Sequence, residues 1–309
     1  MLPSRADLHG GVHFAFACRN RGDSRMTDTT SSTQELDEMR QRYITLLKSA
    51  LRNSMYSNMK NPTKADLAQM WVFKQKLLLK FRSVRSRQGL SYSPSDLYWT
   101  VQGNLIPSHT LGSQENVDNV HFCTESVLRD NVPGDLLEAG VFRGGQSILM
   151  KGILEAWGDE ERKVILADSF EGLPTPGPDS DMDDIIAHEV LKKVGLFSAS
   201  KETVKENFRK YGLLDDRVIF VEGWFNKSLP TAPIDKLAIM RLDADYYDST
   251  MDAMKNLYPK LSVGGWVILD DYGHPMGCRT AVTEYRAEHD ITDEIIMADQ
   301  HVGYWQRTK

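Results

Sequence analysis

From residue 135 onward, short apolar runs alternate with longer stretches in which apolar residues recur every three or four positions. The runs at 135–139, 164–167, 218–221, 237–242 and 266–269 predict strands, and the stretches near 145–156, 200–211, 248–260 and 277–289 predict helices. This alternation is that of a parallel α/β sheet. Two further runs, 294–298 and 302–307, lie so close together that they must pair as an antiparallel hairpin. The expected sheet therefore has seven strands and is mixed only at its C-terminal end. In such open sheets ligands bind beyond the carboxyl ends of the strands, so the residues just after each strand carry the chemistry.

Upstream of 131 the pattern is helical. A Thr/Ser-rich leader ends near Thr33, where Leu36, Met39, Tyr43, Leu46, Leu47 and Leu51 mark one apolar helix face. A second helical stretch, 64–86, is amphipathic and basic, with Trp71, Leu77, Leu78, Phe81 and Val84 among six Lys and Arg residues. It reads either as contact with an anionic partner or membrane surface, or as a docked helix with a solvated face. The organisation expected is a disordered leader over 1–32, a helical N-terminal or lid region over 33–130, and the α/β domain over 131–309. Residues 1–25 hold only a brief apolar run at 12–18, too short for a signal peptide, and read as an unstructured extension ahead of a start at Met26.

Composition narrows the class. A chain of 309 residues with 41% hydrophobic and 26% charged residues has the make-up of a folded globular protein. Its net charge of −6 argues against nucleic acid as a partner. That charge is uneven: +3 over residues 1–60, +6 over 61–87 and −15 over 88–309. The three cysteines, Cys18, Cys123 and Cys278, have no metal-binding or disulfide spacing and fit a reducing cytoplasm. No apolar run approaches the length of a membrane span.

The first strand runs into EAGVFRGGQS (138–147), a glycine-containing turn that opens a helix. Its G-x-x-x-G-G spacing is not the G-x-G-x-x-G of a dinucleotide pyrophosphate site, which disfavours a nicotinamide oxidoreductase. A cofactor without phosphates, such as S-adenosylmethionine, fits better, with Glu138 attracting its ammonium group. After the second strand, Asp168 can accept hydrogen bonds from both ribose hydroxyls; helix capping is the plainer role for such a residue. Glu222, Gly223 and Trp224 follow the third strand, where an adenine would lie.

The fourth and fifth strands end in LDADYYD (242–248) and LDDYGH (269–274). Neighbouring strands would bring Asp243, Asp245, Asp270 and Asp271 together, and four uncompensated carboxylates repel one another. A hard divalent cation such as Mg²⁺ resolves that repulsion, whereas separate solvated loops and helix caps are the structural alternative. Beside a methyl donor, such a cation can bind two adjacent hydroxyls and acidify one while an unligated carboxylate removes its proton. That chemistry is O-methyl transfer to a diol, a sugar or a catechol. A non-catalytic nucleoside-binding protein is the alternative from another class.

Together LLEAGVFRGGQS (136–147), ADSFEGLP (167–174), the 211–225 stretch, LDADYYDSTMDAMKNLYPKLSVGGWVILDDYGHP (242–275) and VGYWQR (302–307) resemble the macrocin O-methyltransferase family, across roughly residues 130–309, with a looser likeness to its N-terminal helix at 43–56. The resemblance implies a Rossmann-like class I methyltransferase that uses S-adenosylmethionine and Mg²⁺ on glycoside acceptors in antibiotic biosynthesis, and forms dimers or larger homo-oligomers. It implies metal ligation by Asp243, Asp270 and Asp271, Asp245 as general base, and cofactor contacts at Glu138, Gly140, Ser147, Asp168, Ser169, Gly223 and Trp224. His274 is a secondary candidate for contact with the acceptor or a metal-bound water. Residues 57–110 depart from the family pattern, and the proline- and aspartate-rich loop at 174–190 reads as a substrate lid or a solvated loop.

Overall fold

The computed structural model describes residues 28–54, 108–175, 198–274 and 277–309. The basic stretch at 64–86, most of the leader and most of the 174–190 loop lie outside the described residues. Two units are distinguished, residues 1–39 and residues 40–309, and the sheet belongs to the second.

Among the described residues seven strands form one sheet: β1 Asp135–Ala139, β2 Val164–Asp168, β3 Val218–Glu222, β4 Leu237–Leu242, β5 Leu261–Leu269, β6 Ile296–Met297 and β7 Gly303–Gln306. Their order is β3-β2-β1-β4-β5-β7-β6, with β1 to β5 parallel and β7 antiparallel to both neighbours. The connections run outward from β1 to β3 on one side and from β4 to β6 on the other. The switch point of the topology therefore lies between β1 and β4, where a crevice opens at the strand ends.

The parallel strands are apolar on both faces because both are covered. Leu136, Ile239 and Ile268 face α2 (Gln114–Arg129) and α3 (Gly145–Trp157), through Val117, Val120, Ile148 and Leu149. Leu137, Met240 and Val267 face α6 (Tyr247–Leu257) and α7 (Cys278–Glu288), through Met254 and Val282. Between these helices, α4 (Lys201–Lys210) precedes β3 and the single turn α5 (Phe225–Ser228) follows it. No described helix is long and apolar enough to cross a membrane.

Two boundaries and one helix face depart most from expectation. β5 begins at Leu261 rather than 266, its first half passing through Gly264 (φ +85°) where its pairing with β4 shifts register. That irregularity breaks the apolar run from which a strand is read. The first helix, α1 (Asp28–Leu51), starts ahead of Thr33, since extending a helix through a Thr/Ser run is easier than nucleating one. Its buried face matches the expected one only in part: Leu47 and Leu51 are covered as expected, together with Ile44, while Leu36, Met39 and Leu46 are more than half exposed. Two apolar stripes of the same spacing lie side by side on this helix, and periodicity alone does not choose between them.

Candidate functional site

Three turns meet beyond β1, β2 and β3. The Asp168 carboxyl accepts the Val141 amide at 2.7 Å and the Phe170 amide at 2.7 Å, tying the glycine turn to the end of β2. The Gly223 amide donates to the Asp168 carbonyl at 2.8 Å, which draws in the end of β3. Burial pushes the Asp168 carboxyl above its usual range, against the pull of these amide donors. Ser169 closes its own turn by donating to the Gly172 carbonyl at 3.0 Å, and Trp224 caps α5 from a partly exposed position. Glu222 is exposed and paired with Lys201 at 3.0 Å.

Gly140 has a reason independent of any ligand. At φ +84°, a Cβ there would lie 1.9 Å from the Asp243 carbonyl oxygen, so only glycine lets the end of β1 pass the end of β4. Phe142 (φ +47°), Phe170 (φ +57°) and Asp245 (φ +55°) hold left-handed backbone at the ends of β1, β2 and β4. Such conformations in non-glycine residues concentrate at binding and catalytic sites.

The acidic cluster forms at the ends of β4 and β5. Asp243, Asp245 and Asp271 each offer a carboxylate oxygen within 4.8 Å of the others. Asp271 is buried and accepts the Asp245 amide at 3.0 Å, which fixes the twisted backbone of its neighbour. Asp270 is held differently. Its Oδ1 accepts from the Asn116 amide of α2 at 2.6 Å and from Arg241.

Arg241 joins the site without having been among the residues expected there. It is fully buried on β4, in register with Glu138 on β1, and its guanidinium donates to Glu138 at 2.8 Å, to Asp243 at 3.1 Å and to Asp270. The expectation of uncompensated carboxylates is corrected by this cation. Its signal was present: one arginine in an otherwise apolar strand, LAIMRL, requires a buried anionic partner. Nothing in the sequence marked Asn116.

Compensation is incomplete. Burial pushes Glu138 up to about 7 even though Arg241 and the Ser147 hydroxyl hold its two oxygens. Burial and the Asp270 charge drive Asp243 well above the usual carboxylate range against Arg241. Burial would lower Arg241, but the charges of Asp270, Asp243 and Glu138 outweigh it and raise its pKa. One guanidinium among these acids leaves an excess of negative charge, and an oxygen-only donor set suits a hard divalent cation. Thus Glu138 and Ser147 lie together and Asp168, Ser169 and Gly223 lie together. Asp243, Asp245 and Asp271 form a trio from which Asp270 stands apart. His274 stacks on His301, ring centroids 3.9 Å apart.

The macrocin O-methyltransferase (TylF) family profile matches residues 40–307. The chain belongs to this family. The match begins within α1, ahead of the sheet. The demethyldecarbamoylnovobiocin O-methyltransferase of Streptomyces niveus is 49% identical over 204 residues, 65% of this chain and 77% of that protein. The mycinamicin III 3''-O-methyltransferase of Micromonospora griseorubida is 47% identical over 203 residues, 65% of this chain and 79% of that protein. The solved structure of the O-methyltransferase NovP superposes with a TM-score of 0.70 at 39% identity, covering 87% of this chain and 100% of that one. The protein is accordingly an O-methyltransferase with the class I fold of S-adenosylmethionine-dependent enzymes.

Proposed function

We propose that this macrocin-family enzyme methylates a hydroxyl of a sugar or glycoside, with S-adenosylmethionine bound over β1 to β3 and a divalent cation, Mg²⁺, bound at the ends of β4 and β5. The observation that carries the reading is the adjacency of the carboxylate cluster to the three turns, through the close pass of Gly140 against Asp243. The glycoside class is supported by the relatives named as O-methyltransferases of demethyldecarbamoylnovobiocin and mycinamicin III.

Asp168 and Ser169 would take the ribose, Glu138 and Ser147 the methionine end, and Gly223 and Trp224 the adenine. Asp243, Asp270 and Asp271 would hold the cation, with Asp245 left as general base. The cation would supply Lewis acidity that makes a bound hydroxyl easier to deprotonate. Asp245 accepts the hydroxyl proton as the oxygen forms its bond to the methyl carbon. S-adenosylmethionine would supply the methyl group and keep the electron pair of its carbon–sulfur bond, so that a methyl ether and S-adenosylhomocysteine would be the products.

The test is transfer of labelled methyl from S-adenosylmethionine to a panel of glycosides and catechols, with and without a chelator. Labelled glycosides and loss of label on metal removal are expected. Catechols labelled in preference to glycosides would overturn the acceptor class, and undiminished transfer in a fully chelated enzyme would overturn the metal.

A further inference from the structure

Asp270 stands next to Asp271 in the chain, yet only Asp271 joins the trio with Asp243 and Asp245. The backbone does not keep it out. Its amide is bonded to the Leu242 carbonyl at 2.8 Å, so the end of β5 is anchored beside the end of β4. What separates Asp270 from the cluster is where its side chain is held. Both holding donors fall on one oxygen, Oδ1, which receives the Asn116 amide at 2.6 Å and the Arg241 guanidinium. Both donors are themselves buried, at 3% and 1% exposure.

The two arms of this clamp differ in what they lose on release. Arg241 would keep Glu138 and Asp243 and so would remain paired. The Asn116 amide would lose its carboxylate. Its carbonyl is separately oriented by the Gln146 amide at 3.3 Å, which keeps the side chain aimed at Asp270.

We propose that Asn116 and Arg241 are positioning residues that hold Asp270 back from the other carboxylates, so that the cation must win Asp270 from this clamp and the clamp sets metal affinity. The inference rests on the divalent-cation reading above. It also connects α2 to the reaction: a helix outside the strand-end turns tunes the site by a single amide. A hydrogen bond to a carboxylate in a buried setting is strong enough that removing its donor changes the competing equilibrium by about tenfold.

Calorimetric titration of Mn²⁺ into the full-length protein saturated with S-adenosylhomocysteine tests this without turnover. Asn116→Ala is expected to bind Mn²⁺ about tenfold more tightly, with the affinity for S-adenosylhomocysteine unchanged. Asp270→Asn is expected to weaken Mn²⁺ binding and to abolish the effect of Asn116→Ala in the double variant. Should Asn116→Ala fail to fold, Gln146→Leu loosens the same amide and is expected to shift the affinity in the same direction. Unchanged or weaker Mn²⁺ binding in the clamp variants overturns the proposal, as does an Asp270→Asn protein that binds Mn²⁺ normally. A wild-type protein that binds no Mn²⁺ overturns the divalent-cation reading itself, a result distinct from a clamp that has no effect.

Discussion

Asp245 carries its carboxyl on a backbone at φ +55°, pinned by the Asp271 carboxyl through its amide. Asparagine tolerates the left-handed region as well as aspartate does, so Asp245→Asn removes the proton acceptor and leaves the backbone in place. We expect turnover to fall by about 10²- to 10⁴-fold while calorimetry shows unchanged affinity for S-adenosylhomocysteine; near-normal turnover would exclude Asp245 as the base. Gly140 separates two roles that a glycine motif merges. Its turn belongs to the cofactor side, but the contact that demands glycine is the Asp243 carbonyl. Gly140→Ala is therefore predicted to destabilise the fold by about 3 kcal/mol or more, measured by denaturant unfolding without any ligand. A stability loss that appeared only when ligand was present would contradict that origin. At this scale the strand-end aspartates were readable because carboxylates after successive strands have a limited set of uses. Asn116 was not, since a single polar residue near the start of a helix is ordinarily a surface residue.

At the scale of elements, the order of the strands and their following helices was legible, and β1 to β4 almost to the residue, because a strand buried on both faces leaves an apolar run and its helix leaves a three-to-four repeat. α2 and the docking of α1 were not. α2 mixes Asn, His, Cys, Thr, Glu and Ser along its length, and two of its buried polar residues, Asn116 and Glu125, have partners on α1 or α3 that no local pattern reports. Glu125 is the hub of that junction. It accepts from Gln41 of α1 at 2.8 Å and from Trp157 at the end of α3 at 3.1 Å, and pairs with His121 at 3.3 Å. Burial alone would raise this carboxyl, but His121, Trp157 and Gln41 together bring it down from 4.5 to about 2. A depressed carboxyl stabilises the fold above its unfolded value and loses that contribution as pH falls through the folded one. Global stability should accordingly decline between pH about 4.5 and 2, and Glu125→Gln should flatten the decline in that window when melting is followed against pH. A Glu125→Gln profile parallel to wild type would show that the carboxyl is not held by this junction.

For the molecule as a whole, topology decides why an acidic chain keeps so much charge in one place. The switch between β1 and β4 puts the outward-running halves of the sheet back to back, so the carboxylates of β4 and β5 and the buried Glu138 of β1 crowd around one guanidinium. That crowding opposes folding in the absence of a counter-ion, and a ligand that binds only the folded state stabilises it in proportion to the logarithm of its concentration. At one hundred times its dissociation constant the gain is about 2.7 kcal/mol. For a domain of this size each kcal/mol moves the melting midpoint by about 2 to 4 °C. Saturating Mg²⁺ is thus predicted to raise the midpoint by several degrees, and a chelator to reverse it. NaCl at matched ionic strength should give a much smaller shift, because screening acts weakly on half-buried charges. Asp243→Asn should abolish the Mg²⁺ response by removing a carboxylate that belongs both to the trio and to the Arg241 network. If NaCl reproduced the Mg²⁺ shift, or if the Asp243→Asn protein still responded, the excess charge would be relieved by general screening rather than by a bound cation.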